Sequence, residues 1–169
     1  MKKILIPLYY YHPYVSGLSV YAKRLAEGLV EAGHQVTVLT TQYDRSLPKH
    51  ETINGVEVIR CPVLFTVGKG LISPQFLYQI VALSSKHDVV NFQLPLPDAG
   101  IACWFIPREK IFVTYHCDVN LGLGLLNQII QRLSYWLMFI CLRKAQKVLS
   151  LSLNYLSASK AEKFLTKAV

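Results

Sequence analysis

The sequence lacks most of the signatures that would assign it to a well-marked function class. Its four cysteines, Cys61, Cys103, Cys117 and Cys141, are far apart and form no Cys-x-x-Cys pair. That argues against a zinc or dithiol motif and for free thiols in a reducing, cytoplasmic compartment. His12, His34, His50 and His87 show no metal-ligand spacing among themselves. Acidic residues are scarce, 10 against 18 Lys+Arg, for a net charge of +8. No paired-carboxylate or serine-histidine-acid constellation stands out. The basic residues form no long run and fit no known module, so nucleic acid is not the expected partner. A phosphate-bearing substrate, an anionic membrane surface or simply a soluble basic exterior suits the surplus better. The longest apolar stretch, Leu133 to Leu142, is about half of the ~20 residues that a spanning helix needs. Lys2-Lys3 before an apolar run starts like a signal peptide, but Pro7 and an aromatic loop cut the run short.

Glycine motifs are missing as well. Gly68-Lys69-Gly70 lacks the downstream glycine of Gly-x-Gly-x-x-Gly and the Lys-Ser/Thr pair of a P-loop. The first loop holds a single glycine, and Thr40-Thr41-Gln42 stands where a dinucleotide-binding domain carries an acid. Both facts argue against a nicotinamide- or flavin-dependent oxidoreductase.

What is present is a strand-helix-strand opening. Lys3 to Pro7 is a short apolar run suited to a buried strand. Tyr9 to Gly17 is an aromatic loop ending in two small residues. From Leu18 the apolar residues Tyr21, Ala22, Leu25, Leu29 and Val30 fall at helical spacing, and Gly33 supplies a helix stop. Gln35 to Thr40 is β-branched and apolar, as a buried parallel strand requires. A parallel pair joined by a helix forms a right-handed βαβ unit, whose ligand edge lies at the strands' carboxyl ends. The Tyr9–Gly17 loop sits on that edge.

The rest of the chain continues the alternation. Asn54-Gly55 between alternating runs predicts a hairpin whose second arm is Val56 to Arg60. Val63 to Ile72 reads as a loop. Ser73-Pro74 starts a helix that runs to about Ser85. A strand follows at Asp88–Phe92, a short helix at Asp98–Phe105 and a strand at Lys110–Tyr115. A long apolar helix at Leu126–Lys144, packed on the sheet, precedes a strand at Lys147–Ser152 and a helix at Asn154–Leu165. With 52% hydrophobic and 17% charged residues over 169 positions, the chain is expected to be one globular domain, 1–169. The fold class is α/β, a Rossmann-like three-layer sandwich with a mainly parallel sheet.

These segments carry a family resemblance. Tyr11, Pro13, Ser16 and Gly17, followed by Ala32-Gly33-His34-Gln35-Val36-Thr37-Val38-Leu39-Thr40, resemble the start of the family 4 glycosyltransferases. Val113-Thr114-Tyr115-His116-Cys117-Asp118 looks like that family's strand ending in His-small-Asp. Val148 through Tyr155 resembles its strand ending in Ser-x-Asn-Tyr, here Ser152, Asn154 and Tyr155. Ser16 replaces the first glycine of the usual Gly-Gly. Asn91 and Gln93 stand where the family often has histidines, and no site role is transferred to them. The match covers nearly the whole chain in order.

The resemblance implies the N-terminal, acceptor-side half of a two-domain GT-B enzyme. It implies retaining transfer from a nucleotide-sugar to a glycan or lipid-linked acceptor, with no metal or other cofactor. His116, just past a strand's carboxyl end, can exchange hydrogen bonds with a hydroxyl, and by resemblance it lies near the transferred sugar. Asp118 orients His116, binds an acceptor hydroxyl or stabilises a turn. Ser16 and Gly17 begin a helix, where N–H groups and the dipole favour a donor diphosphate or a phosphate on the acceptor, alongside ordinary capping by Ser16. Tyr11, with Tyr9, Tyr10 and Tyr14, stacks on a sugar, touches lipid or packs its loop, and Ser152 joins Tyr11 and Asp118 as an acceptor contact. Lys160, Lys163 and Lys167 read as a solvated helix face. The family's main donor-binding residues, among them two glutamates seven residues apart, belong to a C-terminal domain that this sequence does not contain. The polypeptide is therefore expected to be inactive alone and to act with a donor domain in cis or trans. The alternatives are a non-catalytic binding subunit of a split transferase and a nucleotide-binding Rossmann domain of another class.

Overall fold

A computed structural model describes residues 1–67, 70–122, 124–150 and 152–167. Among these residues the fold is α/β, with seven strands in a mostly parallel sheet and two more in a small antiparallel ribbon. The chain divides into two compact units, Met1–Asn91 and Phe92–Val169.

The first unit holds β1 (Lys3–Pro7), α1 (Gly17–Glu31), β2 (Gln35–Gln42), β3 (His50–Ile53) and β4 (Val56–Pro62). The ribbon β5 (Phe65–Val67) and β6 (Gly70–Ile72) follows, then α2 (Pro74–Ser84) and the start of β7 (Val89–Leu94). Strand order is β3-β4-β2-β1-β7. The β1–β2 pair is parallel, with Leu5 opposite Thr37, as the βαβ reading requires. Asn54 (φ 48°) and Gly55 (φ 82°) make the predicted hairpin turn between β3 and β4. Two consecutive left-handed residues match the twist of a two-residue hairpin, and Asn-Gly tolerates them best. The Val63–Ile72 segment differs from expectation, because β5 and β6 pair across it, Phe65 opposite Ile72. The run lacks the alternation that marks a strand pair, so no local pattern announced it. Gly68 and Lys69 of the glycine triplet lie outside the described residues.

Helix α1 buries Ala22 and Ala26, with Leu18, Leu25, Leu29 and Val30 around them, against Ile4, Ile6, Val36, Val38, Val56 and Val58. Removing this apolar stripe from water stabilises the unit at roughly 25 cal/mol per Å². Polar side chains at the strand ends hold the loop after β1. Thr40 and Thr41 donate their hydroxyls to the Tyr9 carbonyl, at 2.9 and 2.5 Å. Arg60 on β4 is 2% exposed. Its Nη2 donates to the His12 carbonyl at 2.8 Å, while Nη1 donates to the Pro48 carbonyl and pairs with Glu51. The aromatic loop is thus anchored from the strands beneath it.

The second unit contains the rest of β7, α3 (Asp98–Ala102), β8 (Ile111–Tyr115), α4 (Leu125–Lys144), β9 (Lys147–Ser150) and α5 (Leu153–Ala158). Its strand order is β7-β8-β9, and β8 and β9 are parallel, with Val113 opposite Val148. The expected helix over Asp98–Phe105 tightens into a 3₁₀ turn at Cys103–Phe105. The expected Asn154–Leu165 helix stops at Ala158 and resumes as a 3₁₀ segment at Glu162–Lys167. Ser159 breaks it: its hydroxyl donates to the Leu156 carbonyl and accepts from the Ala161 amide, a local bonding that competes with helix. Lys160 and Lys163 are exposed, as a solvated face requires, but do not lie on one helix. Their ammonium groups lie over the Tyr135 and Phe139 rings, 4.3 and 4.0 Å from the centroids. The free thiols Cys61, Cys103 and Cys141 are buried and Cys117 is exposed.

Candidate functional site

In the first unit, Ser16 is the N-cap of α1. Its backbone is extended (φ −150°, ψ 164°), and it forms a capping box with Ser19. The Ser19 amide donates to Ser16 Oγ at 3.1 Å, and the Ser16 amide donates to Ser19 Oγ at 2.8 Å. The Ser19 hydroxyl also donates to the Tyr14 carbonyl at 2.7 Å, which fixes the loop against its own helix. A side chain that caps reciprocally keeps the first helical turn, with its outward N–H groups, in a single geometry. Gly17 opens the helix, and a Cβ there would meet nothing within 4 Å. The protein itself leaves room at that position for another group.

Tyr11 differs from its neighbours in the loop. It is 0% exposed, inside the core with Ile6 and Leu8, and burial pushes its hydroxyl up to about 12. The sugar-stacking option is closed to an enclosed ring, and packing its loop is what Tyr11 does. Tyr10 and Tyr14 stack at 4.5 Å, and Tyr43 lies at 5.6 and 5.4 Å from them. Tyr14 is exposed, so this trio offers an aromatic surface where Tyr11 does not.

In the second unit, His116 follows β8 directly. Its amide donates to the Leu94 carbonyl at 3.2 Å, continuing the ladder toward β7. Its ring Nε2 lies 2.8 Å from Gln93 Oε1. The Gln93 amide nitrogen donates to Thr114 Oγ1 at 3.4 Å, so the glutamine oxygen faces His116 and accepts its proton. The tautomer that follows keeps the proton on Nε2 and the lone pair on Nδ1. Burial holds the imidazole well below its ordinary range, at about 4, so the ring is neutral at physiological pH. A neutral, oriented imidazole takes part in hydrogen bonds without carrying charge.

Gln93 is the residue that sequence reasoning passed over. Its position, where family members often carry a histidine, was the signal. A polar side chain at a buried position near the end of a central strand needs a partner. Gln93 is 1% exposed and finds one in His116.

Asp118 is engaged by tyrosines. Its Oδ1 accepts from Tyr115 Oη at 2.5 Å and from Tyr135 Oη at 3.1 Å, and its amide donates to Tyr155 Oη at 3.0 Å. Val119 N donates to Tyr135 Oη at 2.8 Å. Burial, then the bond to Asp118, raises Tyr115 far above the phenol range. Ser152 caps α5 by accepting from the Tyr155 amide at 3.2 Å, and so sets the ring that reaches Asp118. Of the three expected acceptor contacts, Asp118 and Ser152 belong to one network that braces the loop after His116.

The neutral state of His116 gives a pH signature. In the unfolded chain an imidazole titrates near 6.5, and in the fold near 4. Between these values the unfolded state binds a proton that the folded state refuses. Stability from this group is complete above pH 6.5 and falls as pH drops toward 4, by at most about 3 kcal/mol. His116→Gln is expected to flatten that limb in denaturant melts across the same window. An unchanged slope would mean that His116 titrates normally.

Comparison with known proteins agrees with this architecture. The chain is 51% identical over 60 residues to an uncharacterized glycosyltransferase of Methanocaldococcus jannaschii, which covers 36% of this chain and 15% of the relative. Among solved structures, sucrose-phosphate synthase from Thermosynechococcus elongatus superposes with a TM-score of 0.60 at 17% identity, over 95% of this chain and 46% of that one. An alpha-glucosyltransferase in complex with UDP and a DNA 13-mer superposes with a TM-score of 0.57 at 11% identity, over 99% and 40%. The chain therefore spans less than half of each of these proteins, and the shared fold is one half of a GT-B glycosyltransferase. The family model of Glycosyltransferase Family 4 matches residues 15–155, from the end of the aromatic loop to the tyrosine that meets Asp118, and the chain belongs to that family.

Proposed function

We propose that this chain is the acceptor-side half of a retaining glycosyltransferase that moves a sugar from a nucleotide-sugar to a glycan or lipid-linked acceptor. The observation that carries the proposal is the His116–Gln93 pair, an oriented neutral imidazole just beyond the carboxyl end of β8. Such a group hydrogen-bonds a hydroxyl of the transferred sugar and strengthens that bond as charge develops on the ring. In the first unit, the capped start of α1 at Ser16–Gly17 offers backbone N–H groups and a positive dipole end to the donor phosphate. The donor phosphate helps to deprotonate the incoming hydroxyl, so the chemistry asks for no metal. Positioning and preorganisation supply most of the rate. Family membership and the UDP bound by one structural neighbour support the kind of donor. Four free thiols support a reducing, cytoplasmic setting.

The test compares the chain alone with the chain joined to a family donor-binding domain, using a labelled nucleotide-sugar. Transfer is expected from the joined protein only, undiminished by EDTA. Transfer by the isolated chain would overturn the division of roles, and loss with EDTA would overturn the metal-independent mechanism. A non-catalytic binding subunit would bind acceptor yet stay inactive when joined.

A further inference from the structure

We propose that the outer face of α4, with the exposed turn after α3, is a docking surface for an anionic lipid bilayer. A helix on the surface of a soluble protein turns its polar face to water. Helix α4 buries apolar side chains and exposes large ones as well. Tyr135, Met138, Cys141 and Leu142 are buried, while Ile129, Leu133 and Trp136 face outward, Trp136 with 61% of its surface exposed. The 3₁₀ turn after α3 adds Trp104 and Phe105, 70% and 69% exposed.

The two elements pack against each other. Gly100 on α3 sits directly against the Leu137 backbone of α4, and Lys144 Nζ donates to the Cys103 carbonyl at 2.6 Å. Trp104 therefore follows a segment that is fixed along α4. Large exposed apolar side chains on two elements packed together mark an interaction site rather than ordinary exterior.

Charge selects the occupant. Helix α4 contains no Asp or Glu, and its charged residues are Arg132, Arg143 and Lys144. Residues 92–169 hold nine Lys+Arg against four Asp+Glu. Two indoles, aliphatic side chains and arginines on one face are the composition of a helix lying in a membrane interface. There the rings sit at headgroup level and the cations meet anionic lipid. By length and composition α4 is also a candidate to cross a bilayer, with 28% of its apolar window buried. The fold argues for lying on the membrane instead. Tyr135 is tied to Asp118 and Val119, and β9 follows the helix within three residues and pairs with β8.

The surface is tested with the purified protein and vesicles of phosphatidylcholine, with and without phosphatidylglycerol. The expected result is flotation with the phosphatidylglycerol vesicles at low salt and a blue-shifted tryptophan emission. The double variant Trp104→Ser/Trp136→Ser changes only exposed rings. It is expected to keep its thermal midpoint while its partition coefficient falls by roughly one to two orders of magnitude. Arg132→Gln/Arg143→Gln should weaken binding only where phosphatidylglycerol is present. Absence of flotation with both vesicles would overturn the proposal. So would full binding by the tryptophan variant, which would put the contact elsewhere on the chain. A concentration-dependent dimer that this variant abolishes, without vesicle binding, would overturn it in favour of a second copy of the chain.

Discussion

His116→Ala, made in the protein joined to its donor domain, is expected to lower kcat/KM for sugar transfer by roughly 10²–10³-fold. The fall should lie mainly in kcat. The magnitude is that of removing one preorganised hydrogen-bonding group from a transition state. Loss in kcat rather than KM is expected because, in the proposed mechanism, the bond strengthens as the sugar ring gains positive character. Gln93→Glu separates positioning from mere occupancy. It keeps an acceptor opposite Nε2 but adds a negative charge, so the His116 titration should move upward from about 4, and the pH profile with it. Alanine at His116 with unchanged kcat would remove the residue from the mechanism.

Gly100→Ala is expected to cost about 3 kcal/mol, the upper end for overpacking, since backbone cannot give way as a side chain does. An added Cβ would stand 2.2 Å from the Leu137 carbonyl oxygen and 2.7 Å from its Cα. Both atoms belong to the α4 backbone, so relief requires the two helices to part. For a chain of this size the loss lowers the thermal midpoint by roughly 6–12 °C. Gly28→Ala is the contrast. That glycine lies exposed within α1, with nothing within 4 Å of the new methyl. Alanine there is expected to raise stability by about 1 kcal/mol through helix propensity. Equal effects at the two positions would show that α3 and α4 do not pack as closely as described.

The fold was legible where the signal is local. The α1 stripe, the Asn54-Gly55 turn and the Ser73-Pro74 helix start each follow from a few neighbouring residues. Membership of the family was legible too, because the motifs at Gly17, His116 and Tyr155 come in order along one chain. The site's support was not, since its contacts join residues far apart in sequence. Gln93 reaches His116 across 23 positions, and Tyr155 reaches Asp118 across 37. Tyr11 misled for another reason. An aromatic residue in a polar loop looks the same in sequence whether its ring turns outward or into the core, and here the core beneath α1 takes it. By composition alone, the long apolar helix belongs against the sheet. Composition does not say which side of a helix faces water, and Trp136 stands on the exposed side.

The anomeric configuration of the product tests the central claim most directly. Proton NMR of the joined protein during turnover of a nucleotide-sugar should show the transferred sugar keeping the configuration it had in the donor. An inverted product, or hydrolysis with no transfer to any acceptor, would contradict a retaining transferase built on this half.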